Sequence, residues 1–123
     1  MHELDFAYDI FKIAEETAKK YNAKKVKSIF LEIGELTNIF PELLKESFKI
    51  VTKDSIVENA MLDIHIISGQ IKCRNCSNIS DVKITDEAKL TGLQLFRCNK
   101  CDSINTEIIE GKKMNIKNIK IEE

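Results

Sequence analysis

IKCRNCSNISDVKITDEAKLTGLQLFRCNKC, residues 71–101, carries all four cysteines of the chain: Cys73, Cys76, Cys98 and Cys101. They form two CxxC pairs with 21 residues between them. Each CxxC turn offers two thiolates, and two such turns complete the tetrahedron of soft ligands that Zn(II) favours. The two-residue gap lets backbone N–H groups turn toward the sulfurs. Four thiolates fill the coordination shell and leave no position for water or substrate, so the site reads as structural rather than catalytic. The alternatives are an iron site or a redox pair of disulfides. A thioredoxin-like CxxC would open a helix after a βαβ strand, and neither pair does so. Large apolar residues in 71–103 are few: Ile71, Ile79, Val82, Ile84, Leu90, Leu93, Leu95 and Phe96. A core that small needs its metal, whose binding is worth about 10–16 kcal/mol in zinc-finger peptides. The stretch 71–103 is therefore expected to be a zinc ribbon, with strand-like runs at Val82–Ile84 and Leu93–Arg97.

Upstream of it the periodicity is first helical, then alternating, then helical and alternating again. Over residues 4–21, Phe6, Ile10, Ile13, Thr17 and Tyr21 recur in steps of three and four, with Ala14 and Ala18 beside them. Glu3 and Asp5 precede this run and Lys19 and Lys20 close it, as the helix dipole prefers. VKSIFLEIG (Val26–Gly34) places Ile29, Leu31 and Ile33 on one face of a strand. Pro41 suits the first turn of a second helix running to about Lys53 and burying Leu44, Phe48 and Val51. AMLDIHII (Ala60–Ile67) alternates with Leu62, Ile64 and Ile66 on one face, and Ser68-Gly69 breaks it. Beyond the cysteines, Glu110-Gly111 resembles a turn and KMNIKNIKIEE forms a last strand. There Met114 and Ile116 are out of phase with Ile119 and Ile121, which a bulge near Lys117-Asn118 would correct. The expected architecture is α+β: two helices with a small β-sheet, residues 1–70 and 104–123, into which a four-cysteine zinc ribbon, 71–103, is inserted.

Size and charge narrow the classes of function. The chain has 123 residues, 43% hydrophobic and 32% charged, with a formal net charge of -1, which suits one ordinary domain with a core and a wet surface. No apolar run approaches the about 20 residues that span a bilayer, and the N-terminus lacks the signature of a signal peptide. A cytoplasmic protein without membrane contact is expected, and in a reducing compartment paired cysteines favour metal over disulfides. Zinc ribbons that bind nucleic acid are the runner-up reading. Against it, Lys72, Arg74, Lys83, Lys89, Arg97 and Lys100 are offset by Asp81, Asp86, Glu87 and Asp102, with Phe96 alone for stacking. An enzyme is not expected, since no nucleophile–histidine pair or phosphate loop can be placed, and Glu32 and Glu35 alone make a poor active site. Lys19, Lys20, Lys24, Lys25 and Lys27 read as a solvated helix end, or else as a docking patch for an acidic partner.

One of only two histidines is His2, in the opening MHEL. Its backbone nitrogen and ring Nδ1 can close a six-membered chelate, extended by the Met1 amine or the Glu3 amide, and such planar nitrogen donors suit Ni(II) or Cu(II). The fourth donor would be the Glu3 carboxylate, water or a partner's group. On residues alone two readings stand, a metal-binding end or a frayed start of a helix. His65, the other histidine, lies opposite Leu62, Ile64 and Ile66 in parity; it reads as a surface strand residue, or as a fourth nickel donor.

MHEL at the start, IGEL at Ile33–Leu36 followed by Pro41-Glu42 and a helix, ENAMLDIHI, and CxxC…CxxC before a terminal strand together resemble the HypA family, over nearly the whole chain. These are nickel metallochaperones of [NiFe]-hydrogenase maturation. The resemblance implies nickel binding at His2 and Glu3, with Ni(II) as transient cargo, and structural Zn(II) at Cys73, Cys76, Cys98 and Cys101. It implies two partners, a HypB-type GTPase and the hydrogenase large-subunit precursor; a monomer or weak homodimer is expected, since an exposed final strand could swap or dimerise. Asp5 stands where the family commonly has Ser, an acceptable exchange in a first helical turn. LTNIFPE offers no acidic third nickel ligand at the matching point. Ser77, Asn78 and Asp102 stand where some members place histidines beside the knuckles.

Overall fold

The computed structural model describes residues 2–82, 90 and 96–123. Among these are helices α1 (His2–Lys20) and α2 (Pro41–Val51) and six strands: β1 (Lys25–Gly34), β2 (Met61–Ile67), β3 (Gly69–Cys73), β4 (Ile79–Val82), β5 (Thr106–Glu110) and β6 (Met114–Glu122). A 3-10 turn, Glu35–Thr37, lies between β1 and α2. The strands form two three-stranded sheets, ordered β2-β1-β6 and β4-β3-β5. The chain divides into two compact units, one of Met1–Glu32, Ile39–His65 and Asn115–Glu123, the other of Ile33–Asn38 and Ile66–Met114. The architecture is α+β, as expected.

In the first unit α1 and α2 are in contact. Helix α1 starts at His2, two residues before the apolar periodicity suggests, and its fully buried residues are Ala7, Ile10, Ala14 and Ala18. The expected stripe is therefore rotated: Ile13 and Tyr21 are exposed and Ile10 alone of that set is fully buried. Small side chains let neighbouring elements approach closely, and three of the four fully buried residues of α1 are alanines. Helix α2 has Pro41 in its first turn and buries Leu44, Ser47 and Phe48. It stops at Val51 because Thr52 closes it: the Thr52 N–H and Oγ1 both donate to the Phe48 carbonyl, at 3.1 and 2.7 Å. Val51 is only half-buried.

Strand β1 buries Ile29, Leu31 and Ile33 as its alternation predicts, and Val26 in addition. The last strand joins this sheet beside β1. Lys24 N–H donates to Glu122 O (2.7 Å) at one end and Gly34 N–H to Lys113 O (2.8 Å) at the other, so β6 runs antiparallel to β1. Burial along β6 changes phase at Lys117-Asn118, with Met114, Ile116, Ile119 and Ile121 all half-buried. Strand β2 lies at the edge; Leu62 is buried but Ile66 is 47% exposed.

The second unit departs further from the sequence reading. The chain resumes as a strand at Gly69, where a break was expected, and β3 pairs antiparallel with both neighbours: Ile71 opposes Ser80 on β4 and Ile108 on β5. Strand β4, Ile79–Val82, starts ahead of the expected run Val82–Ile84, whose residues after Val82 lie outside the described residues, and β5, Thr106–Glu110, is a strand where none is expected. Ile84, Leu93 and Leu95 fall outside the described residues; Phe96 and Arg97 are not in a strand. ISDV and TEIIE escape the alternation test because β3 is what they pair with, and only Ile71, Cys73 and Ser80 of β3 and β4 are buried apart from Gly69.

Candidate metal centre

Strand β3 ends at Cys73, and the chain turns at once through Cys76 into β4. The second knuckle, Cys98–Cys101, precedes β5, so the sheet delivers both knuckles to one place. They are built alike. In the first, Cys73 N–H donates to Asn78 O (2.9 Å) and Ser77 N–H to Cys73 O (3.0 Å); in the second, Cys98 N–H donates to Ser103 O (3.0 Å) and Asp102 N–H to Cys98 O (3.0 Å). Ser77 and Asp102, each directly after its second cysteine, are both left-handed (φ 63 and 60). Cys73 and Cys98 are buried, while Cys76 and Cys101 are exposed.

The four Sγ atoms lie within 4.8 Å of one another. Cys73 approaches Cys101 at 3.5 Å and Cys76 approaches Cys98 at 3.5 Å, each a first cysteine against the second of the other knuckle. These separations are far beyond the about 2.05 Å of a disulfide. They are close to the edge of about 3.8 Å in a tetrahedron with metal–sulfur bonds of about 2.3 Å. A metal ion fits this donor set, and four soft thiolates suit Zn(II) or iron.

Backbone dipoles prepare the sulfurs for a cation. Asn75 and Cys76 N–H groups donate to Cys73 Sγ, each at 3.4 Å, and Lys100 N–H donates to Cys98 Sγ at 3.3 Å. The Cys76 N–H foremost holds the Cys73 thiol below its ordinary value. The Cys101 and Lys100 N–H groups lower Cys98 to about 6, against the burial that opposes them. The other two move the opposite way. The Ser103 N–H favours the Cys101 thiolate, but the Cys73 sulfur, desolvation and the remaining sulfurs outweigh it and push the thiol up to about 12. Cys76 likewise receives the Asn78 N–H yet is raised by desolvation and by the Cys98 and Cys73 sulfurs. Four sulfurs this close cannot all be thiolates without a cation among them, which is the electrostatic reason for a metal here.

Sequence reading found the ligating residue types but missed what holds them. Asn78 Nδ2 lies 3.8 Å from Cys98 Sγ and donates to Ser80 Oγ (3.2 Å). Buried Ser80 Oγ also accepts from Asn99 N–H at 3.1 Å, tying β4 to the second knuckle. Asn75 Nδ2 donates to Ser103 Oγ (2.8 Å), bridging the two knuckles directly. The only hint in the sequence is that polar residues follow each CxxC at matching offsets. Ser80→Ala leaves the Asn99 N–H without this acceptor, and metal affinity is expected to fall about tenfold. Competition with a chromophoric chelator measures it.

His2 and Glu3 both lie in the first turn of α1, in the first unit. N–H groups in a first helical turn have no carbonyl one turn earlier to bond. Glu3 is 7% exposed, on the buried side of the helix with Ala7. His65 stacks on Phe30 (ring centroids 4.4 Å apart) and its Nε2 is 3.2 Å from Asp63 Oδ1.

A family profile described as "Hydrogenase/urease nickel incorporation, metallochaperone, hypA" matches residues 1–121. The chain belongs to the HypA family. The hydrogenase maturation factor HypA of Methanococcus vannielii is 38% identical over 127 aligned positions, covering 99% of this chain and 98% of that protein. The factor of the same name from Methanocaldococcus jannaschii is 35% identical over 127 positions, with 99% and 98% covered. Among solved structures, the solution structure of the Ni metallochaperone HypA from Helicobacter pylori matches with a TM-score of 0.63 at 26% identity, over 98% of this chain and 97% of that one. HypA proteins are metallochaperones of nickel incorporation rather than enzymes, and their role in hydrogenase maturation entails contact with other maturation components. Among the described residues no helix is long and apolar enough to cross a membrane.

Proposed function

We propose that this chain carries Ni(II) at His2 and Glu3 and hands it to the [NiFe]-hydrogenase large-subunit precursor, working with a HypB-type GTPase in the cytoplasm. In this reading Zn(II) at Cys73, Cys76, Cys98 and Cys101 is structural, and the protein is a monomer or weak homodimer. The nickel-binding domain is residues 1–70 and 104–123 and the zinc ribbon is 71–103. The observation that carries the nickel assignment is the start of α1 at His2 in a member of this family. Backbone nitrogens in a first helical turn can bind a metal without breaking an intrahelical hydrogen bond. The positive end of the helix dipole opposes a cation there, and Glu3 and Asp5 in that same turn offset it. The balance favours binding weak enough to be reversed, which is what a carrier of cargo requires.

The test is calorimetric titration of Ni(II) into zinc-loaded, untagged protein beside His2→Ala. One nickel per chain is expected, lost in the variant with zinc retained. Stoichiometric nickel binding that survives the substitution would refute the assignment.

A further inference from the structure

We propose that the outer edge of β2 pairs with β2 of a second copy, in antiparallel register about a two-fold axis at Ile64. This specifies the weak homodimer of the preceding reading and is independent of the nickel site.

Strand β2 ends the order β2-β1-β6, so one of its long sides has no partner strand among the described residues. Unpaired edges are usually blunted by charged side chains, lysine above all, by proline or by a bulge, and Asp63 is the one carboxylate in β2. MLDIHII has neither lysine nor proline, and Met61 and Ile66 are 69% and 47% exposed. The strand is also complementary to itself. A two-fold axis perpendicular to the sheet places residues of one face opposite each other. Centred on Ile64, it opposes Asp63 to His65 of the second copy and His65 to its Asp63, so the pair each strand already makes within itself, His65 Nε2 3.2 Å from Asp63 Oδ1, meets its counterpart with imidazole against carboxylate twice. The same register opposes Leu62 to Ile66 and Met61 to Ile67, apolar against apolar. Moving the axis to Asp63 sets carboxylate against carboxylate, and moving it to His65 sets imidazole against imidazole. Directly opposed like charges destabilise a sheet and opposite charges support it, so of these three registers the one centred on Ile64 is favoured.

A second feature fits the same register. Beside the start of β2 is an open hollow of about 210 Å³ lined by Lys45, Phe48, Lys49, Ala60, Met61 and Leu62. The residue opposed to Leu62 is Ile66 of the second copy, which brings that exposed side chain to the hollow. By symmetry each copy fills the other's. Stacking on Phe30 already steadies the His65 ring, so little side-chain freedom is lost on pairing.

The test is sedimentation equilibrium of the zinc-loaded full chain over a wide concentration range, with hydrogen exchange of residues 61–67 at both ends of it. Asp63 and His65 are both more than half exposed, so substitution leaves the fold intact. Wild type is expected to dimerise as concentration rises, with β2 amides gaining protection. Asp63→Lys should weaken the dimer about tenfold, and the exchanged pair Asp63→His with His65→Asp should restore it, since the register still opposes unlike groups. Nickel binding should be unchanged in Asp63→Lys, which leaves both histidines in place. A monomer at every concentration would overturn the proposal, as would a dimer indifferent to Asp63→Lys. Protection of β2 only on adding the GTPase or the hydrogenase precursor would give the edge to that partner and overturn self-pairing.

Discussion

Cys98→Ala is expected to strip the four-cysteine cluster of its metal, Zn(II) in the reading proposed above, and to loosen residues 66–114 while α1 stays protected. Cys98 is 3% exposed, accepts the Lys100 N–H at 3.3 Å, and lies 3.5 Å from Cys76 Sγ. Its loss leaves three sulfurs and an open position, so affinity should fall beyond the about 10–100-fold seen when only an outer partner of a ligand is changed. The consequence is local because apolar burial is unevenly shared. Ala7, Ile10, Ala14, Ala18, Ile29, Leu31, Leu44 and Phe48 are buried in the first unit. Among the described residues the second unit buries Ile33, Leu36 and Ile71, together with Cys73 and Cys98 themselves. In the structural-zinc reading, a unit whose described residues bury so few apolar side chains takes its folding free energy from the metal. Metal analysis, limited proteolysis and hydrogen exchange check this together. Cys73→Ala should behave the same way, since the two knuckles share one construction. Acid should mimic both: binding displaces thiol protons, so affinity falls as pH drops. Undiminished zinc content with unchanged protease resistance in 66–114 would show that the four-cysteine cluster is not what holds the ribbon.

How far the sequence could be read depended on which force acted locally. The cysteines were legible because ligand type and spacing are covalent facts, and the CxxC turn needs nothing distant to form. β1, α2 and the phase change in β6 were legible because one face of each meets a core. The buried face of α1 was misjudged because hydrophobicity ranks Ile13 and Tyr21 above Ala7, whereas close packing selects for small size. Strand β5 and the first residues of β4 were missed because they are held by pairing to β3, whose partners are set by the knuckles rather than by any pattern within ISDV or TEIIE. Asn78 and Ser80 were invisible for a related reason: their role is defined by Cys98 and Asn99, some twenty residues away. The first turn of α1 was foreshadowed by Glu3 and Asp5, although apolar periodicity alone started the helix at Leu4.

Gly111→Ala should destabilise the second unit by about 3 kcal/mol, combining overpacking of about 1–3 kcal/mol with the cost of a side chain at positive φ, about 1–3 kcal/mol. Gly111 has φ +91, and a Cβ there would sit 2.7 Å from Gly69 Cα and 2.9 Å from Ser68 O. These are backbone atoms of the β2–β3 connection and cannot swing aside. Gly34 meets the same obstacle from the other direction, since an added Cβ would run into the Gly111 carbonyl and lie 2.7 Å from its Cα. That carbonyl is already fixed by the Leu36 N–H at 2.7 Å, and Gly34 N–H is fixed by Lys113 O at 2.8 Å. Gly69 differs: its added Cβ would press on Leu36 Cγ at 2.7 Å, a side chain that can shift. Gly34→Ala and Gly111→Ala should therefore lower the melting temperature of the zinc-loaded protein by about 10 °C, and Gly69→Ala by clearly less. The three glycines stand at the end of β1, the start of β3 and the approach to β6, where the chain passes between the elements of one sheet and those of the other. Gly34 and Gly111 approach backbone too closely for either to carry a side chain, whereas Gly69 faces only the movable Leu36. Melting curves for Gly34→Ala and Gly111→Ala that match wild type would mean the convergence is loose, and an inserted ribbon would then need no such glycine junction.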